Sequence, residues 1–125
     1  MANPIGWINI PVLDKERALS FYNEVFDWAI SFGIVGKVDM APFPSESEEA
    51  GAPGCLMYDP TALEPSKHLG PLVYFSTDDV AVAAEKAERA GGRIVELKRP
   101  IAPGYGYMSV VTDTEGNRIA FHSGN

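Results

Sequence analysis

"IPVLDKERALSFYNEVFDW" (10–28) holds a β-branched strand end, an acidic cap and an amphipathic helix in that order. Asp14 stands where an N-cap belongs, with Lys15, Glu16 and Arg17 in the first turn. Ala18, Leu19, Tyr22, Val25 and Phe26 then recur at helical spacing and predict one apolar face. A shift of 65 residues lays Asp14 on Asp79 and lays Ala18, Leu19, Tyr22 and Phe26 on Ala83, Ala84, Ala87 and Gly91. The same helix, with its cap, is therefore written twice in one chain.

The flanking residues extend the repeat. "GWINIPV" (6–12) reads as the strand before the first helix. "WAISFG" (28–33), "KVDMAPF" (37–43) and "GCLMY" (54–58) read as three strands after it. "PSESEEAGAP" (44–53) is a polar acidic loop, and its "SESEE" (45–49) a solvated run. "LVYFS" (72–76) is the strand before the second helix, which Asp78 or Asp79 caps. Val80, Ala83, Ala84 and Ala87 form that helix's buried face, and Gly91-Gly92 ends it. "RIVELK" (93–98), "MSVVT" (108–112) and "RIAFHS" (118–123) are the last strands. "PIAPGYGY" (100–107) is a Gly/Pro-rich loop, and "DTEGN" (113–117) a turn with Gly116 at the left-handed position. "EEAG" (48–51) and "DTEG" (113–116) fall at matching places.

These elements predict an α+β fold of paired βαβββ modules: a cup-shaped, curved, mixed sheet with helices outside. The chain reads as one domain over 1–125. Module one covers about 5–58, a Pro-rich linker about 59–71 and module two about 72–123. At 46% hydrophobic and 22% charged residues, the composition is that of a globular domain with its own core. The net charge of -7 argues against nucleic acid and anionic membrane as partners. Cys55 is the only cysteine, so no internal disulfide forms, which suits a cytoplasmic location. No secretory signal and no membrane-spanning run is visible at the sequence level.

"IPVLDKERALSFYNEVFDW" (10–28), "GPLVYFSTDDV" (70–80), "AGGRIV" (90–95) and "DTEGNRIAFHS" (113–123), in that order and spacing, resemble the vicinal oxygen chelate superfamily. That superfamily includes glyoxalase I, extradiol dioxygenases and bleomycin-resistance proteins. The resemblance covers nearly the whole chain. It implies a cup that holds a small molecule, often completed across a homodimer. In catalytic relatives a divalent metal sits in the cup, bound by His, Glu or Gln from the first and last strands of each module. The resemblance places those four positions at Trp7, Cys55, Leu72 and Ala120. Indole nitrogen has no lone pair for a metal, and Leu and Ala offer nothing. A lone Cys does not make a site that normally takes about three protein ligands. No metal and no other cofactor is therefore expected.

Strand alternation puts Trp7 and Asn9 on one face of the first strand, opposite Ile8, Ile10 and Val12. It puts Leu72, Tyr74 and Ser76 inward in module two, together with Ala120 and His122, while Ile119 and Phe121 turn to the helix. Trp7, Asn9, Leu72, Tyr74, Ala120 and His122, with Tyr105 and Tyr107 from the "APGYGYM" (102–108) rim, form the candidate ligand-binding set. A face of this kind suits a small aromatic or polar organic molecule. Trp7 and Tyr74 would either stack on that ligand or fill the space it once took. His122 is the candidate acid, base or hydrogen-bond partner for a ligand; alternatively it is a strand-end residue bonded to a backbone group or to water. His68, in the linker, reads as an exposed loop residue. The leading reading is a metal-free small-molecule-binding protein, expected as a homodimer. The alternative is a glyoxalase- or dioxygenase-like enzyme, with a divalent metal or with a metal-independent His/Tyr site.

Overall fold

The computed structural model describes residues 5–44 and 54–125. Module one contributes β1 (Ile8–Pro11), α1 (Lys15–Phe26), β2 (Gly33–Val35), β3 (Val38–Pro42) and β4 (Gly54–Tyr58). Module two contributes β5 (Val73–Ser76), α2 (Val80–Arg89), β6 (Arg93–Ala102), β7 (Gly106–Thr112) and β8 (Arg118–Ser123). The two modules have the same topology. Each forms a four-stranded sheet, β1-β4-β3-β2 and β5-β8-β7-β6, in which the first strand pairs parallel with the last and the other pairs are antiparallel. The expected α+β fold of paired βαβββ modules is the observed one.

The helix starts follow their caps. The Asp14 carboxylate accepts from Arg17 N at 3.0 Å, and the Asp79 carboxylate from Ala81 N at 2.9 Å. Between the two acids offered by the sequence, Asp79 is thus the cap of α2. Its buried residues are Val80, Ala83, Ala84 and Ala87, as the spacing predicts. Helix α1 buries Ala18, Phe21, Tyr22 and Val25. Leu19 and Phe26 are only partly buried against the same core, and Phe21, absent from the predicted face, lies at its centre.

Two strand assignments need correction. Residues 28–32 form no strand, and β2 begins at Gly33. The Asn23 side chain is the reason: its amide donates to Ile30 O at 3.1 Å and accepts from Ile30 N at 3.0 Å. A residue whose backbone is held by a side chain cannot also pair in a ladder. Trp28, Ile30 and Phe32 instead turn their side chains against the core. The second correction concerns the loop at 100–107. Strand β6 runs on through Ala102, β7 begins at Gly106, and Pro100 pairs with Tyr107. An edge strand tolerates Pro100, and the register shifts along β6 absorb the misfit. The acidic run 45–49 and the "EEAG" match lie outside the described residues.

One core spans both modules. Ile10, Val12, Ala41 and Leu56 from the first sheet pack with Val111, Ile119 and Phe121 from the second and with the buried faces of both helices. Phe26 stacks on Trp28 at 4.5 Å between ring centroids and meets Phe75 of module two at 4.9 Å. The sheets themselves are not hydrogen-bonded to each other.

A polar clasp joins them instead. Glu115, in the β7–β8 turn, has a fully buried side chain that accepts from Leu13 N at 2.8 Å and Asp14 N at 2.7 Å. It also accepts from Arg17 Nε at 2.7 Å. Buried Asp113 accepts from the Tyr22 hydroxyl at 2.6 Å and from Asn117 Nδ2 at 2.9 Å, while Asn117 Nδ2 also donates to Pro11 O at 2.8 Å. The turn that sequence types as a connector thus fixes module two to the start of α1.

Candidate functional site

The core claims one face of each sheet, so the opposite face carries the candidate site. At β1 that face presents Asn9 and, just before the strand, Trp7, both exposed. On module two it is set by register: Tyr74 pairs with Ala120 and Ser76 with His122, and β7 adds Val110 and Met108 beside them. The face assignments read from strand alternation agree with this placement.

The structure divides the candidate residues between two grooves. Trp7, Asn9, Leu72 and Tyr74 line a groove of about 690 Å³ between the free edges of β1 and β5. Ile5, Leu63, Leu69 and Arg118 line it as well. Trp7 is 47% exposed and Tyr74 48%, so neither ring plugs the space. Tyr105, Tyr107 and His122 line a second groove, of about 680 Å³, under the 100–107 hairpin. Ala120 lies between the grooves, fully buried beside Met108 and Val110, with partly buried Leu72 packed against them. Tyr107 also packs against the main core, with Lys98 Nζ 4.8 Å from its ring centroid.

In the first groove a short relay orients Asn9. Trp7 Nε1 donates to Asn9 Oδ1 at 2.7 Å, and the Cys55 thiol donates to the same oxygen at 3.3 Å. Cys55 is fully buried, and that burial pushes its thiol up, so it stays protonated at neutral pH. In the second groove His122 Nε2 lies 2.8 Å from the Tyr105 carbonyl oxygen. A carbonyl only accepts, so Nε2 carries the hydrogen and Nδ1 keeps its lone pair in the neutral ring. Gly106 permits this approach, because a Cβ there would stand 2.3 Å from Ser123 O and 3.3 Å from His122 Nε2. The Asn9 orientation was not legible as such, whereas a His122 bonded to a backbone group is one of the two readings the sequence offered. A polar type at an inward strand position was the only signal for the Asn9 orientation.

The two-module topology and the residues of these grooves can be set beside known proteins. The model of the Glyoxalase/Bleomycin resistance protein/Dioxygenase superfamily matches residues 4–121. The chain belongs to this superfamily. A glyoxylase-like domain-containing protein from Didymella fabae is 27% identical over 119 residues, covering 93% of this chain and 90% of that one. Among solved structures, a V278E variant of glyoxalase I from Zea mays superposes with a TM-score of 0.73 at 24% identity over 97% of this chain. The match covers 46% of the maize protein, so this chain spans about half its length. A glyoxalase/bleomycin resistance protein from Albidiferax ferrireducens superposes with a TM-score of 0.71 at 17% identity, over 95% of this chain and 98% of that one. At these identities the two structures establish the shared fold.

A divalent metal, which the superfamily fold implies, finds a poor donor set here. Of the four positions carried over by resemblance, Trp7 uses its only polar hydrogen on Asn9, and Leu72 and Ala120 have no donor atoms. The remaining one, Cys55, is a buried neutral thiol. Among the described residues no three His, Cys, Asp or Glu side chains are grouped so as to hold an ion. The residues at this place in the superfamily fold do not fit the metal. Also among the described residues, no helix is long and apolar enough to cross a membrane.

Proposed function

We propose that this chain is a metal-free, small-molecule-binding protein of the superfamily, acting as a cytoplasmic homodimer. One observation carries the reading: the groove between β1 and β5 places two half-exposed aromatic rings and the oriented Asn9 amide where the superfamily's ligand positions carry no metal donors. Aromatic walls with a few fixed polar groups are what a pocket for a flat organic ligand needs. The dimer is supported by the free edges of β1 and β5, each paired on one side only, with exposed Ile5, Leu63 and Leu69 nearby. An exposed strand edge beside apolar side chains favours a second copy over water.

Elemental analysis and calorimetric titration with Zn²⁺, Ni²⁺ and Fe²⁺ test the metal-free part. The expected result is no binding near one ion per chain; a tightly bound ion at that ratio overturns it. A thermal-shift screen of aromatic small molecules against Trp7→Ala tests the binding part. Ligands that stabilise the parent chain and not the variant are the expected outcome.

A second reading has its own observation. With Nε2 donating to the Tyr105 carbonyl, Nδ1 has no partner among the described residues and presents a lone pair. This supports a metal-independent enzyme centred on the second groove. A His122→Gln variant that loses turnover of a ligand it still binds would establish that reading.

A further inference from the structure

We infer that the groove between β1 and β5 takes a flat molecule bearing a carboxylate, with Asn9 and Arg118 reading the acid. The inference rests on the proposed binding function and narrows the ligand class of that same groove.

Asn9 supplies the first argument. An amide can turn either end outward, but Trp7 leaves no choice. Indole nitrogen is a donor only, so the atom 2.7 Å away must be the amide oxygen. The Cys55 thiol also donates to that oxygen. Both acceptor sites of Oδ1 are thereby spent. Nδ2 has no partner among the described residues, and its two hydrogens are left for something in the groove. Turning the amide over would set Nδ2 against the indole hydrogen and leave both donors unmatched. Asn9 therefore offers hydrogens and asks for an acceptor.

Arg118 supplies the second. It opens β8 on the same sheet face as Ala120 and His122, one ladder step from Tyr74. Its backbone N–H is taken by Ser66 O at 3.3 Å, which fixes the strand end. Elsewhere Lys15, Arg17, Lys86, Lys98 and Arg99 are each paired with a carboxylate. Arg118, like Lys37, Lys67, Arg89 and Arg93, has no such partner among the described residues, and of these five it is the one that lines the groove. A planar, unpaired guanidinium beside aromatic rings matches a carboxylate in both charge and shape. Glu64 lines the same groove and is its only acid among the described residues. It disfavours a polyanion. Of the other polar side chains there, Asn117 is committed to Pro11 O and Asp113, and Ser66 Oγ accepts from His68 N and Leu69 N.

The test compares 2-naphthoate with 2-naphthamide, which share a flat ring system and differ in charge. Each is titrated into the full chain by calorimetry at low and high salt. We expect the acid to bind about tenfold more tightly, with a preference that shrinks as salt rises. Arg118→Gln should erase the difference between the acid and the amide. Trp7→Phe keeps an aromatic ring but frees Asn9 to turn, and should weaken the acid more than the amide. Glu64→Gln should tighten the acid. Equal affinities in the parent chain, or an acid preference that survives Arg118→Gln, overturn the inference and leave the binding function standing. If neither compound binds and no other flat molecule does, both fail together.

Discussion

The two modules meet along two seams of opposite character. At one seam the turn 113–117 presses buried carboxylates against the start of α1, and every buried polar side-chain atom among the described residues has a partner. At the other, β1 and β5 approach without hydrogen bonds and leave a groove with half-exposed rings. The first seam can hold the modules in place, so the second need not. A protein that stabilises itself at one place is free to leave another unsatisfied for a ligand.

Glu115→Ala attacks the closed seam hardest. It removes the acceptor of two backbone N–H groups and the partner of Arg17. Because Arg17 is itself about half exposed, water takes up part of that loss. The expected cost is about 2–4 kcal/mol, measured by urea denaturation. Tyr22→Phe comes next. It deletes a buried bond to Asp113 and should cost about 1.5–2 kcal/mol with little change in fold.

The pH dependence of the closed seam follows from two carboxylates that shift in opposite directions. Burial pushes Glu115 up, but Arg17 and the backbone N–H groups of Asp14 and Leu13 outweigh it and hold the group below its ordinary 4.5. Its stabilisation is therefore present above that value and is lost as pH falls through the lower folded value. Burial dominates at Asp113 and raises it above its ordinary 3.8, against the pull of Tyr22 and Asn117. Its contribution has the opposite sign and is lost as pH rises through the raised value. In denaturation from pH 7 to pH 3, the stability gap between the parent chain and Glu115→Gln should narrow as pH falls. A gap independent of pH would refute the charged clasp.

Trp7→Ala sharpens the contrast from the other side. Its ring is 47% exposed, so the variant should lose about 1–2 kcal/mol of stability, below the cost of Glu115→Ala. It should still lose ligand binding. A stability loss as large as that of Glu115→Ala would mean that the open groove is part of the scaffold after all.

The same contrast explains what the residues alone could tell. Local patterns were read well where local forces decide. The α2 face is the one its spacing predicts, and β8 runs over the stretch predicted for it. Residues 28–32 were misread because the Asn23 amide, seven residues before Ile30, takes the backbone groups a strand would use. Phe21 was missed because α1 has apolar residues on more than one side, and only the packed module two decides which side is buried. The clasp was missed for a related reason. Asp113 and Asn117 satisfy turn rules locally, and nothing near Glu115 in sequence announces a partner at Leu13. At the candidate site, alternation gave the faces of Trp7, Asn9, Tyr74, Ala120 and His122. It could not show that buried Ala120 divides them, because position along a curved sheet depends on the strands alongside.

The clasp also bears on how the chain is made. The amide of Leu13 finds its acceptor 102 residues later, and the Arg17 side chain finds its own 98 residues later. The start of α1 must therefore wait for the β7–β8 turn to be synthesised before it is capped on both sides. Such distant closure makes for slow folding, on the scale of about milliseconds to seconds rather than microseconds. On a ribosome, module one would remain without its final anchor until nearly the whole of module two had been made.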